Sequence, residues 1–202
     1  GTSENRISFR EPFAGIAGKD YTDPGTYTFR EFISGTTGLK WSPHTWETAD
    51  DSYILGYTTT GFYDLVLNEN GDGFTVLDEM AVGRPEDVTQ AYSARFGIAP
   101  GETARAWRLQ LNPDACWENG EAIDADTYLY AYQQLLDGKM MNRRADSVYA
   151  GEFAIVGAKD YLYGKVGWEQ VGIIKEGPYQ LVLITTSPVR DPDFYVPYYL
   201  MD

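Results

Sequence analysis

The stretch from Trp107 to Asp137 constrains the fold more than any other part of the chain. Apolar and polar side chains alternate from Trp107 to Leu111, which is the period of a strand buried on one face. The Asn-Pro-Asp sequence at positions 112–114 then ends this strand, because these residues favour turns. The first part of the stretch therefore predicts a half-buried strand.

The second part predicts an amphipathic helix. Its apolar residues recur at spacings of three and four, with polar residues on the other side; the apolar set is Tyr128, Ala131, Tyr132, Leu135 and Leu136. Asp124 stands at the position of an N-cap, and Gly138 is predicted to cap the C-terminal end. Between strand and helix, the Asn119-Gly120 pair predicts a tight turn, with Trp117 packed inward and Cys116 as a buried structural cysteine.

This order of strand, Trp-polar-polar-Gly turn and capped helix resembles the family 5 extracellular solute-binding proteins, the oligopeptide and dipeptide receptors of ABC importers. Further segments resemble the family in the same order along the chain: the Pro43-His44 step before Glu47, the stretches from Tyr63 to Gly71 and from Glu79 to Ala81, Tyr149-Ala150, the run from Gly157 to Lys165, and the strand pair from Val171 to Ile184. Full receptors of this family are much longer. The chain is therefore expected to be the N-terminal part of such a protein.

The resemblance implies an α+β fold of mixed α/β character. It would form part of a periplasmic-binding-protein type II lobe with a smaller inserted subdomain. Residues 1–24, which are polar and without a sustained period, are expected to form a loosely ordered N-terminal arm. Residues 25–50 and 170–202 would belong to the large lobe, and residues 51–169 would form the smaller subdomain.

The resemblance also implies the ligand-binding residues. Glu47, Thr48 and Ala49 match a segment that offers a strand edge to the main chain of a peptide, an arrangement known as β-augmentation. Tyr149 matches a tyrosine that lies over the ligand, and Trp46 is expected to line the same cleft. The alternatives stay open: Glu47 as a surface acid, Tyr149 as a packing residue and Trp46 as part of the core.

The predicted function is the substrate-binding component of an ABC importer, a protein that is not an enzyme and needs no cofactor. Its partners would be a peptide or another small solute and the membrane subunits of the transporter, and the protein would be a monomer. The expected location is extracellular or periplasmic, with a lipoprotein anchor in the native form. A surface-attached peptide or protein interaction or sensor domain is the alternative, and a carbohydrate-active enzyme is a weaker one.

Composition narrows the classes of partner and chemistry. The net charge of −14 argues against nucleic acid and anionic membranes as partners. A single cysteine excludes an internal disulfide, and a single histidine, His44, excludes a zinc site of the usual kind. The loop from Asn68 to Glu79 has the spacing of an EF-hand, but its flanks favour strands, so a hairpin turn is the better interpretation.

Outside the main stretch, the sequence predicts shorter elements. A strand is expected from Tyr27 to Ile33, a helix or a β segment between Ser52 and Tyr63, and a hairpin from Leu65–Leu67 and Phe74–Leu77. Short helices are expected within residues 145–150 and 152–163, and a strand from Tyr179 to Thr185.

Overall fold

A computed structural model describes residues 40–201, so the predicted N-terminal arm and the strand at 27–33 lie outside the described residues. The described part contains six α-helices: α1 (Ala49–Leu55), α2 (Thr89–Phe96), α3 (Ala125–Leu135), α4 (Asp146–Tyr149), α5 (Ala158–Leu162) and α6 (Tyr195–Tyr198). Its six strands are β1 (Tyr63–Leu67), β2 (Phe74–Asp78), β3 (Glu86–Asp87), β4 (Ala106–Gln110), β5 (Ile173–Gly177) and β6 (Gln180–Ile184). Two 3₁₀ turns, Arg143–Ala145 and Trp168–Gln170, complete the set. The predicted mixed α and β fold is confirmed.

A four-stranded antiparallel sheet forms the centre of the described residues, with strand order β3-β4-β6-β5. Strands β4 and β6 are its middle pair, and Trp107 lies opposite Leu183. Leu109 and Leu181 are completely buried, as the alternating pattern of β4 predicts. Both predicted strands are confirmed, and Pro178 stands in the predicted turn between β5 and β6.

The predicted hairpin is confirmed as the pair β1-β2, a separate two-stranded sheet. The side chain of Asn68 closes its loop, because Asn68 Oδ1 accepts from the amide of Asp72 and Asn68 Nδ2 donates to the Asp72 carboxylate. Gly71 adopts φ 71°, a left-handed conformation that glycine tolerates. The loop therefore has the turn chemistry that the sequence indicates.

The predicted amphipathic helix is confirmed as α3. Asp124 is its N-cap and accepts from the amide of Thr127, whose side chain completes a capping box with Asp124. The predicted role of Gly138 is wrong, because the C-cap is Leu136, which has φ −91°. Gly138 is needed for a different reason: a Cβ there would overlap the backbone carbonyl of Leu162, which crosses close by.

The turn before α3 is present, but two of its side chains face outward. Gly120 adopts φ 86°, and the amide of Trp117 donates to the carbonyl of Glu121. Trp117 is 53% exposed and Cys116 is also exposed, so the predictions of a buried Trp and a buried cysteine are wrong. A short antiparallel bridge between Cys116 and Ala122 closes a small loop that carries Trp117.

Other local predictions hold in part. The segment from Ser52 to Tyr63 is helical only to Leu55 and then turns into irregular chain before β1. The short helices expected within 145–150 and 152–163 correspond to α4 and α5. Strand β4 falls in the predicted smaller subdomain and its partner β6 in the predicted large lobe. The division of the chain into these regions stays a prediction.

Candidate functional site

Arg144 joins the two segments that the sequence assigns to ligand binding. Its backbone amide donates to the carbonyl of His44, and its Nε donates to the carbonyl of Trp46 at 2.9 Å. The guanidinium carbon lies 3.3 Å from the centre of the Trp46 ring, a cation–π contact. Helix α4, which carries Tyr149, begins two residues later. The segment at 44–48 is therefore fixed to the base of α4.

A second group, the carboxylate of Asp51, fixes the same segment from the other side. Asp51 is fully buried and accepts from three backbone amides, those of Lys40, Glu47 and Thr48, at 2.6 to 3.1 Å. Burial alone would raise the pKa of this carboxyl. The three amides and the Thr48 hydroxyl outweigh that effect and lower the pKa to about 2. Asp51 is thus an ionised anchor at neutral pH.

The structure places a helix N-terminus where the resemblance implied an open strand edge. Thr48 is the N-cap of α1, its hydroxyl accepts from the amide of Asp51, and Ala49 is the first helical residue. The amides of Glu47 and Thr48 already donate to Asp51. These two groups are therefore not free to pair with a guest strand, which corrects the expected geometry.

The side chain of Glu47 is exposed and paired with a cation. Its Oε1 lies 2.6 Å from Lys40 Nζ. The hydrogen bond and the charge of Lys40 lower the pKa of the Glu47 carboxyl, so it is ionised at neutral pH. A pair this exposed contributes little to stability, but both groups stay accessible to a charged ligand.

Tyr149 is half-buried and packs against the main apolar core. Lys159 Nζ lies 5.7 Å from the centre of its ring. Burial raises the pKa of the Tyr149 hydroxyl, with the nearby Tyr163 and Asp146 adding to the shift. The phenol therefore stays protonated at neutral pH, with a polar tip that can donate a hydrogen bond.

Sequence reasoning missed both residues that build this site. Asp51 belongs to an Asp50-Asp51 pair, and acidic pairs of this kind are common on protein surfaces. Arg144 lies 98 residues along the chain from Trp46, whose carbonyl it contacts. A Thr-x-x-Asp spacing at 48–51 is a signal of a capped helix start. No local signal indicates the partner of Arg144. Within residues 40–201, no cluster of three acid, histidine or cysteine side chains could hold a metal ion.

Comparison with known proteins finds similarity to a curated protein in sequence and to several solved structures in fold. Over 85 residues the chain is 28% identical to the periplasmic oligopeptide-binding protein OppA of Haemophilus influenzae, a match that covers 42% of this chain and 15% of OppA. The structure of Burkholderia pseudomallei OppA aligns over 80% of this chain with a TM-score of 0.56 and 22% identity. No protein-family profile matches the chain.

Two further structures share the fold and have names that refer to peptides. Haemophilus influenzae OppA in complex with RPPGFSPFR aligns over 80% of this chain, with a TM-score of 0.55 and 19% identity. The pheromone receptor PrgZ, also solved for its mode of peptide binding, aligns over 83% with a TM-score of 0.59 and 19% identity.

The chain is a partial match to the OppA-type family 5 solute-binding proteins. It spans 26 to 28% of the length of these three solved structures. The predicted resemblance and the α+β fold class are confirmed for the part that aligns. The Haemophilus influenzae relative is named as an oligopeptide-binding protein, in agreement with the prediction of a non-enzymatic protein. Among the helices of residues 40–201, none combines the length and the apolar composition of a membrane span.

Proposed function

We propose that this chain is part of the substrate-binding component of an ABC importer that takes up peptides. The observation that carries this proposal is the shared fold over four fifths of the chain with OppA, one of whose structures holds a peptide. The sequence similarity to the OppA of Haemophilus influenzae supports the same assignment. The mechanism is recognition: a solute is held and handed to a transporter, and no bond is made or broken.

The ligand-binding residues of this proposal are Trp46, Glu47, Thr48, Ala49 and Tyr149. Since the amides of Glu47 and Thr48 are occupied by Asp51, side chains rather than a strand edge would make the contacts here. The ionised carboxylate of Glu47 can accept from a ligand ammonium or amide. The Tyr149 phenol offers an apolar ring with a donor at its tip. Arg144 sets the position of both segments.

The proposed partners and location come from the same relatives. The chain would work outside the cytoplasmic membrane, in the periplasm or on the cell surface, tethered as a lipoprotein. It would act as a monomer and deliver its peptide to the membrane subunits of the transporter. The OppA of Haemophilus influenzae is itself named as periplasmic.

The test is calorimetry with a mixture of tri- to pentapeptides, using the intact gene product and the 202-residue chain in parallel. We expect measurable binding by the intact protein. We expect weak or undetectable binding by the chain alone, because it spans only 26 to 28% of the OppA structures, and most desolvation of a peptide would come from the additional residues. Absence of peptide binding by the intact protein would overturn the proposal.

Variants locate the site within the intact protein. Tyr149→Ala is expected to weaken peptide binding by roughly tenfold, since it removes a ring and a hydrogen-bond donor from the contact surface. Tyr130→Ala is the matched control, because Tyr130 is an exposed tyrosine of α3, outside the proposed site. Equal affinities for both variants would exclude Tyr149 from the site.

A peptide-sensing domain is the second candidate function. The observation that favours it is the alignment with the pheromone receptor PrgZ, which has a TM-score of 0.59. A sensor and an importer component would bind peptides alike but differ in the fate of the bound peptide. Uptake of a labelled peptide by cells with and without the gene distinguishes them, because only the importer component is needed for uptake.

A further inference from the structure

A cleft of about 700 Å³ lies beside the turn that comes after Tyr149. Three parts of the chain form it: the turn at Gly151 and Glu152, the segment from Ser187 to Arg190 after β6, and two tyrosines of the C-terminal region, Tyr195 and Tyr199. A volume of this size is typical of sites for small molecules. None of the ligand-binding residues inferred from sequence lies in its lining.

Arg190 is the cation of this cleft, and its side chain is unpaired. It is exposed, and within residues 40–201 it makes no ion pair and no side-chain hydrogen bond. A guanidinium carries five donors in a planar fork that matches a carboxylate. All five donors of Arg190 are therefore available to a ligand.

The backbone around Arg190 is held in place before any ligand arrives. The amide of Val189 donates to the carbonyl of Ala104, which ties this segment to the start of β4. Asp191 adopts φ 71°, and its carbonyl accepts from the amide of Val196. A ligand that pairs with Arg190 would thus order one side chain and no loop, which keeps the entropic cost of binding low.

Two neighbouring carboxylates are already engaged and do not neutralise Arg190. Asp191 Oδ1 accepts from the amides of Asp193 and Phe194 at 3.1 Å each. Glu152 accepts from the hydroxyl of Tyr199, and this bond raises the pKa of the Tyr199 phenol. Both acids keep their negative charge, but their hydrogen-bonding partners are other groups, so the donors of the Arg190 guanidinium stay open to a ligand.

Two tyrosines, Tyr195 and Tyr199, also line the cleft, and each is in contact with a neighbouring aromatic ring. Tyr199 stacks on Phe153 with ring centres 6.0 Å apart, and Tyr195 meets Phe194 edge to face at 5.6 Å. Tyr195 is nevertheless 54% exposed, so part of this residue is accessible to a ligand. Rings held by other rings lose little freedom when an apolar group packs against them.

We propose that this cleft binds a small solute with a carboxylate and an apolar or aromatic group, the carboxylate pairing with Arg190 and the apolar group packing on Tyr195. The inference does not depend on the proposed importer function, because it concerns a different set of residues and needs no transporter.

The test uses two probes that differ only in the carboxylate: N-acetylphenylalanine and its C-terminal amide. Binding to the ¹⁵N-labelled protein, prepared as the intact gene product, is monitored by NMR. We expect the acid to shift the amide signals of Gly151, Glu152 and Arg190, and to bind at least about tenfold more tightly than the amide. The expected ratio reflects the loss of a charge-assisted pair.

Matched variants separate the site from general charge effects. Arg190→Gln is expected to reduce the affinity for the acid by about tenfold and to leave the amide unaffected. Lys139→Gln is the control, since it removes an unpaired cation from a different cleft, at the end of α3. Tyr195→Leu is expected to weaken both probes, and Tyr163→Leu, at another exposed tyrosine, neither.

The proposal is overturned by any of three results. These are equal affinity for acid and amide, shifts that map outside the cleft, and no shifts at all at millimolar probe. Retention of wild-type affinity by Arg190→Gln would also overturn it, provided that the variant keeps the wild-type spectrum elsewhere. Such a spectrum is expected because the side chain of Arg190 is exposed and makes no polar contacts within residues 40–201.

Discussion

The central sheet and the segment from Lys40 to Gly56 are held by different kinds of interaction. In the sheet, burial of apolar side chains dominates, and Leu109, Leu181 and Leu183 are at most 1% exposed. Helix α1 buries only one apolar residue, Leu55, and its surroundings depend on polar contacts to Asp51 and Arg144. The segment that carries four of the five predicted ligand-binding residues is thus the polar one.

This difference indicates how each region opens. Apolar burial in the sheet is shared among many residues, and losing it costs global stability. The polar segment depends on two side chains and can open locally while the sheet stays folded, as binding regions often do. Single substitutions in each region separate these two behaviours.

The largest effect is expected from Leu183→Ala in β6. The side chain lies in the middle of the sheet opposite Trp107, where a cavity cannot collapse easily. The free energy of unfolding should fall by about 2–5 kcal/mol, measured by urea denaturation. Leu77→Ala in the hairpin is the control, since Leu77 is 44% exposed and its truncation should cost within about 0.5 kcal/mol. Equal losses would contradict the picture of a sheet-centred core.

A pH titration follows the Asp51 anchor of the polar region. The pKa of Asp51 is lowered from 3.8 to about 2 in the folded chain, so its stabilising effect is complete above pH 3.8 and is lost as the pH falls towards about 2. We expect the amide signals of Glu47 and Thr48 to move in this range while those of β6 do not. NMR spectra recorded at stepwise lower pH measure both regions at once.

Asp51→Asn tests the same anchor at neutral pH. Oδ1 of Asp51 accepts from the amide of Lys40, and Oδ2 accepts from the amides of Glu47 and Thr48. In asparagine one of these oxygens is replaced by an NH₂ group, which is a donor and would face backbone N–H donors. Amide exchange in residues 46–52 should become much faster, with little change in β6. Asp50→Asn is the control, because the side chain of the neighbouring acid accepts from none of these amides. Unchanged exchange in Asp51→Asn would show that the segment is held by something else.

The same division explains what the sequence could predict. The helix capped by Asp124 and the hairpin closed by Asn68 depend on contacts between near neighbours in sequence. The strand at Trp107 pairs with the distant strand β6, but its alternating pattern is local. Each shows a period or a cap that is visible within about a dozen residues. The family resemblance extended these local predictions to a fold that the comparisons support.

The failed and missed predictions have both distant and local causes. A side chain at position 138 would overlap the backbone carbonyl of Leu162, which is distant in sequence. Trp117 is predicted to be buried and is 53% exposed. In place of the expected strand edge at Glu47 the structure has a capped helix start, since Asp51 folds back onto the preceding amides; its local signal is the Thr-x-x-Asp spacing at 48–51. The contact between Arg144 and Trp46 could not be read from either residue, because position in the fold alone brings them together.

Arg144→Gln should have a moderate and local effect. It removes the contact with the Trp46 ring and the bond to the Trp46 carbonyl, together about 1–2 kcal/mol against local opening. Amide exchange at residues 44–48 measures this opening. Arg143→Gln is the matched control, because the neighbouring guanidinium is exposed and makes no ion pair within residues 40–201. Similar exchange in the two variants would remove Arg144 from its positioning role.

The smallest effect is expected at the N-cap of α1. Thr48→Ala removes the hydroxyl that accepts from the Asp51 amide and should weaken α1 by about 1 kcal/mol. Thr48→Ser keeps that hydroxyl and should restore amide protection at Asp51 and Ser52. Because the Asp51 carboxylate still holds the preceding amides in both variants, residues 46–48 should stay protected. If Thr48→Ala released those residues as well, the cap and the buried carboxylate would form one cooperative unit, and the polar region would open as a whole.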